Sequence, residues 1–102
     1  MKALDATNFD ETLGQNSIVV VDFWAPWCGP CRALAPVIEQ VAEEVGESTL
    51  VAKVNVDEAS QLGERFGVQS IPTIIYFRNG LEAERSVGMT TKADIMATLN
   101  SL

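Results

Sequence analysis

Two hydrophobic periods run through this chain, and they set out its elements in order. Residues 18–24 are an almost unbroken apolar run, Ile-Val-Val-Val-Asp-Phe-Trp, interrupted only by Asp22. Such a run predicts a central strand covered on both faces. Leu34, Val37, Ile38, Val41, Ala42 and Val45 then follow a helical period, and Gly46 ends the stripe. Residues 50–56 return to β-branched character, with Lys53 and Asn55 as polar interruptions, and predict a second strand. Ala59, Leu62 and Phe66 suggest a short helix, weakened by Gly63 and ended by Gly67. Residues 73–77 and 81–87 flank Asn79-Gly80, the signal of a type I′ hairpin. Thr91 caps a last helix whose apolar positions are Ile95, Met96, Leu99 and Leu102. At the start, Lys2–Leu4 reads as a short strand. Thr7-x-x-Asp10 reads as a capping box for a helix that places Phe9 and Leu13 on one face and stops at Gly14.

The predicted order is βαβαβ, a short helix, a hairpin and a final helix. Parallel strands with right-handed crossovers, followed by antiparallel ones, make an α/β fold with a mixed central β-sheet and helices on both faces. The 102 residues suffice for one domain, 1–102, with a core that needs no disulfide staple. A disulfide here is therefore free for chemistry. In such sheets ligand chemistry collects at the carboxyl ends of the strands. The segment from Trp24 to Cys28 sits there, where the central strand hands over to the long helix.

Fourteen acids against seven Lys and Arg give a net charge of −7, with no basic stripe. Nucleic acid and an anionic membrane surface are poor partners for such a chain. The apolar run from residue 18 to 21 is too short to span a bilayer, and no basic leader opens the sequence, so the expected compartment is the cytoplasm. Two cysteines and no histidine exclude a Cys–His nucleophile, a Ser–His–Asp triad and imidazole metal ligation.

The chemistry concentrates at Cys28-Gly29-Pro30-Cys31. Cysteines at i and i+3 in a first helical turn lie on one side, within reach of a disulfide. The free N–H groups and positive dipole end of a helix favour a thiolate on Cys28, the attacking species. Gly29 leaves the approach open, and Pro30 stiffens the spacer where its missing N–H costs little. Three other readings compete. A structural disulfide closing so short a loop restricts the unfolded chain very little. A closed zinc site wants four ligands and finds two. Two inert buried cysteines fit poorly with a helix-start position. Asp22 is the other anomaly, since a carboxylate in an apolar strand is costly unless it has a partner or a task.

Trp27-Cys28-Gly29-Pro30-Cys31, preceded by Val21-Asp22-Phe23-Trp24-Ala25 and followed by Ile71-Pro72-Thr73, resembles the thioredoxin family over essentially the whole chain. The resemblance implies the thioredoxin fold and reduction of protein disulfides, with Cys28 as exposed nucleophile and Cys31 as buried resolving thiol. It implies Asp22 as a buried acid behind Cys31, with a raised pKa and a proton-accepting role through water. Lys53 matches the lysine close to that acid. Pro72, for which the X–Pro base rate favours trans, is by resemblance cis and faces the disulfide. Trp27, Ile71, Pro72, Gly88 and Met89 would form an uncharged docking rim, and the Ile71 backbone would pair with an extended substrate. No bound cofactor is implied. Electrons would come from NADPH through thioredoxin reductase, the other partners being disulfide-containing proteins, and the chain would act as a monomer. Trp24 reads as core packing, and Pro36 as a kink in the long helix that frees the Arg32 carbonyl. Departures from the family pattern, at Pro26, Arg32 and Ser70, touch no reacting group. Two other functions are weighed against this one. A disulfide-forming oxidant tends to carry histidine in the spacer, which Gly29-Pro30 lacks. A non-catalytic accessory binding subunit on the same fold is compatible with intact cysteines.

Overall fold

The computed structural model describes residues 1–102. Nine elements follow one another: β1 (Lys2–Leu4), α1 (Phe9–Gln15), β2 (Ile18–Trp24), α2 (Gly29–Glu44), β3 (Thr49–Asn55), α3 (Ser60–Arg65), β4 (Thr73–Arg78), β5 (Leu81–Val87) and α4 (Lys92–Asn100). The sheet order is β1-β3-β2-β4-β5. β3 runs parallel to both β1 and β2, while β4 is antiparallel to β2 and β5 to β4. The sheet is thus mixed, as the element order predicts. No helix is long and apolar enough to cross a membrane.

β2 lies at the centre, and its alternation serves two cores at once. Val19, Val21 and Phe23 join Phe9 and Leu13 of α1, Leu62 of α3 and Phe77 of β4 on one side. Phe9, Phe66 and Phe77 pack there with ring centroids 5.3–5.7 Å apart, within the range favoured for tilted and edge-on aromatic pairs. Val20 faces the opposite side with Leu34, Ile38 and Val41 of α2, Ile74 and Tyr76 of β4, and Ile95 of α4. Asp22, two residues beyond Val20, is carried by the same period onto this second face, beneath the start of α2.

Several boundaries differ from the sequence expectation for local reasons. Thr7 does not form a capping box. The Asp5 carboxylate instead accepts from the backbone N–H groups of Thr7 (2.8 Å) and Asn8 (3.2 Å), and Asn8 Oδ1 accepts from the Asp5 N–H at 2.8 Å. Asn8 becomes the N-cap residue, without a side-chain cap bond into the helix. α1 also runs through Gly14 to Gln15, because a helical glycine costs only about 1 kcal/mol and by itself ends nothing. α2 runs unbroken across Pro36, where the sequence predicts a kink and not an end. Val56 falls outside β3, though its N–H donates to the Trp24 carbonyl at 2.9 Å. The Asn79-Gly80 turn has φ values of 52° and 83°, as a type I′ turn requires.

The long helix is held to the sheet by its buried stripe, and α4 is closed by the Thr91 hydroxyl, which accepts from the Asp94 N–H at 3.1 Å. Ile38→Ala is expected to cost about 2–5 kcal/mol, as a buried large-to-small change does. Thr91→Ala is expected to cost about 1 kcal/mol, the loss of one exposed cap. Chemical denaturation of the two variants checks the ranking.

Candidate active site

The junction between β2 and α2 is shaped by its own sequence. Ala25 turns the chain out of β2, and its carbonyl accepts from the Cys28 N–H at 3.2 Å. Cys28 is then the N-cap of α2, with extended backbone angles (φ −85°, ψ 110°), and Pro30 lies in the first turn, where no helical N–H is needed. The Cys31 N–H donates to Cys28 Sγ at 3.2 Å. An otherwise orphaned helix-start donor is therefore aimed at that sulfur, which favours negative charge on it. The two cysteines are joined as a disulfide, with Cα atoms 5.2 Å apart. Arg32 Nη1 donates to the Pro26 carbonyl at 2.9 Å and ties the preceding loop to the helix.

A second strand end faces this pair. The Ile71–Pro72 bond is cis, and the Ile71 carbonyl oxygen lies 3.8 Å from Cys28 Sγ. Gly88 donates its N–H to the Pro72 carbonyl at 2.8 Å. Its φ of +89° is a conformation that a side chain at this position would strain. Gly88 is therefore part of the support of Pro72. Met89, next in the chain, is 55% exposed. Trp27 stands out from the surface, 68% exposed, with Nε1 donating to the Asp57 carboxylate at 2.9 and 3.2 Å.

The exposure of Cys28 departs from expectation. In the disulfide state it is 5% exposed, hardly more than Cys31 at 2%. Its side chain is turned in among Ala25 and Cys31, with Trp24, Val56 and Ile71 packed against them.

Asp22 is buried, and its Oδ1 has no hydrogen-bond partner; Trp24 Nε1 is unpaired in the same way. Asp22, Trp24, Cys31, Lys53, Arg32 and Ala35 all line a cavity of about 100 Å³ under the start of α2. Burial pushes the Asp22 carboxyl up from its ordinary 3.8 to about 6, and the charge of Lys53 opposes the rise. Lys53 is the cross-strand partner of Asp22 in the β2–β3 register. Its ammonium sits 5.3 Å from the centroid of the Trp24 ring, a cation–π placement. Trp24 therefore does more than fill the core, since its ring also meets the Lys53 ammonium.

The structure gathers Cys28, Cys31, Gly29, Pro30, Trp27, Ile71, Pro72 and Gly88 in one region, with both cysteines and Pro72 buried and Asp22 and Lys53 on the Cys31 side. Sequence reasoning missed Asp57, the hydrogen-bond partner of Trp27. It also missed a groove of about 480 Å³ that runs from Trp27 and Ile71 past Val56, Gly63 and Val68. No periodic signal in residues 56–71, where polar and apolar residues are mixed, pointed to the groove.

A mixed sheet carrying a Cys-Gly-Pro-Cys pair at disulfide distance, on the first turn of the helix after its central strand, defines a thiol–disulfide oxidoreductase. The sequence model of the thioredoxin family matches residues 1–101. The chain is 41% identical over 96 residues to thioredoxin from Pyropia yezoensis, covering 94% of this chain and 90% of that one. It is also 41% identical over its full length to 22% of a bifunctional thioredoxin reductase/thioredoxin from Mycobacterium leprae. A solved point-mutant thioredoxin from Halobacterium salinarum NRC-1 superposes with a TM-score of 0.92 at 35% identity, covering 98% of this chain and 88% of that one. The chain belongs to the thioredoxin family, and its fold is the thioredoxin fold.

The unpartnered carboxyl makes a stability prediction with a definite sign. Its folded pKa of about 6 lies above the ordinary 3.8, so the folded state holds this proton more tightly than the unfolded one. The carboxyl then costs nothing below about pH 4, and the cost is complete above about pH 6–7. Asp22→Asn is expected to stabilise the fold by about 1–3 kcal/mol at pH 7.5. The gain should shrink to near zero by pH 4. Denaturant titrations of both proteins at several pH values check it.

Proposed function

We propose that Cys28 is the nucleophile of a protein-disulfide reductase and Cys31 its resolving thiol. The observation that carries this assignment is the Cys31 N–H aimed at Cys28 Sγ, which favours a thiolate on that sulfur. In the reduced protein the Cys28 thiolate attacks one sulfur of a target disulfide. A mixed disulfide forms and the first target thiolate leaves, taking a proton from water. Cys31 then gives up its proton and attacks Cys28 Sγ. The Cys28–Cys31 disulfide forms and the second target thiolate departs.

Asp22 accepts the Cys31 proton in this scheme. A carboxylate poised near pH 6 is a suitable general base at neutral pH, and it shares with Cys31 a cavity large enough for bridging water. Lys53 lines the same cavity and lowers the cost of charging Asp22. Gly29 and Pro30 hold the spacer. Trp27, Ile71, Pro72, Gly88 and Met89 provide the surface on which an extended target segment lies, pairing with the Ile71 backbone.

No bound cofactor is needed, because both electrons reside in the dithiol. The protein is recharged by thioredoxin reductase, with NADPH as the ultimate donor. The Mycobacterium leprae relative, whose name joins reductase and thioredoxin in one chain, supports this pairing. The working form is a monomer of one domain, in a compartment that keeps thiols reduced, such as the cytoplasm.

Insulin reduction with dithiothreitol as electron source tests the reading. The parent is expected to accelerate precipitation of the reduced chains strongly, and Cys28→Ser not at all. No acceleration by folded parent would leave a dedicated oxidant or a binding subunit. Asp22→Asn should reduce the rate of mixed-disulfide resolution near neutral pH, in a stopped-flow single turnover. An unchanged resolution rate would remove the proton-accepting role.

A further inference from the structure

The groove beside the disulfide carries a charge that nothing in the protein neutralises. It is bounded near Cys28 by Trp27 and Ile71 and continues along Val56, Gly63 and Val68; Glu64 is the one charged residue lining it. Glu64 is exposed, on the solvent side of α3, and makes no ion pair or side-chain hydrogen bond. Asp57, held against Trp27, adds a second exposed carboxylate at the same end of the molecule. No lysine or arginine lines the groove. The two arginines of the neighbouring elements are committed elsewhere, Arg65 to Asp10 and Arg85 to Glu82.

An extended segment that holds its cysteine at Cys28 and runs into this groove past Trp27 and Ile71 meets Glu64 as the one charged group on its lining. An acidic side chain there meets like charge with no counter-ion, and a basic one completes a pair. We infer that Glu64 selects among target disulfides, favouring those whose cysteine is flanked by lysine or arginine. The inference rests on the reading that targets dock along this surface. Complementary charge at the rim of an interface acts mainly on encounter and discrimination, and an exposed pair is worth a few tenths to about 1 kcal/mol. The preference should therefore be modest, about two- to fivefold, and sensitive to salt.

Two peptides test this. They are identical except that the residues on both sides of a single cysteine are lysine in one and glutamate in the other, and each cysteine is capped as a mixed disulfide with 2-mercaptoethanol. The readout is the ratio of their second-order rate constants for reduction by the dithiol protein at low ionic strength. A partly misfolded variant slows both peptides alike and leaves the ratio intact. The parent should favour the lysine peptide. Glu64→Gln should lower the ratio about two- to fivefold, and Glu64→Lys should lower it further. A ratio unchanged in both variants overturns the inference even if the parent favours lysine, because the preference then comes from the overall charge of −7. Failure of the parent to reduce either peptide would overturn the reductase reading itself, an outcome separable from a flat ratio.

Discussion

The structure depends on burying both faces of β2. Val19, Val21 and Phe23 on one side and Val20 on the other are each essentially inaccessible. At roughly 1.5–3 kcal/mol for a fully buried large apolar side chain, this strand anchors both cores. The constraint fixes the site as well. Because β2 ends where its apolar run ends, the chain must turn at Ala25, and α2 must start there to lay Leu34, Ile38 and Val41 over Val20. Cys28 falls at the start of that helix and Cys31 faces inward as a consequence. The same strand carries Asp22 onto the covered face, where it is buried against the small cavity under α2.

Asp22 is the place where the fold and the chemistry pull in opposite directions. An unpartnered buried carboxyl lowers stability wherever it is ionised, and an apolar or amide side chain would serve the sheet better. In the proposed mechanism the same burial makes it useful, since it lifts the carboxyl to a pKa near that of a working base. Lys53 moderates the effect from the neighbouring strand without forming a contact ion pair. A contact pair would pull the Asp22 pKa down and make it a weaker base at neutral pH.

Much of this was legible in the sequence because the strong signals were periodic. The apolar run of β2, the helical stripe of α2 and the Asn79-Gly80 turn each predicted the element found, and Asp22 betrayed itself as the one polar residue in its strand. What escaped had no period. The cap of α1 is a reciprocal Asp5–Asn8 arrangement, which looks in sequence like the competing Thr7 box. The low exposure of Cys28 comes from Ile71 and Val56, residues distant in the chain that meet it only through folding. Trp27 and Asp57 are 30 residues apart, and no local pattern joins them. The groove was invisible for the same reason, being assembled from the turn after β2, the residue after β3, α3 and the loop before β4. Pro72 is an intermediate case. Its position was plain, but its cis bond followed from family resemblance and not from the local residues.

The central claim is that electrons leave through a covalent bond between Cys28 and the target, which Cys31 then breaks. Cys31→Ser removes the resolving thiol and leaves the nucleophile, so the intermediate should persist. Mixing the reduced variant with an excess of oxidised insulin and quenching with acid should give, by intact-mass spectrometry, a one-to-one adduct linked through Cys28 and reversed by dithiothreitol. The parent should show only its own disulfide and free target chains. No adduct with Cys31→Ser, or an equal adduct when Cys28 is replaced instead, would contradict the account.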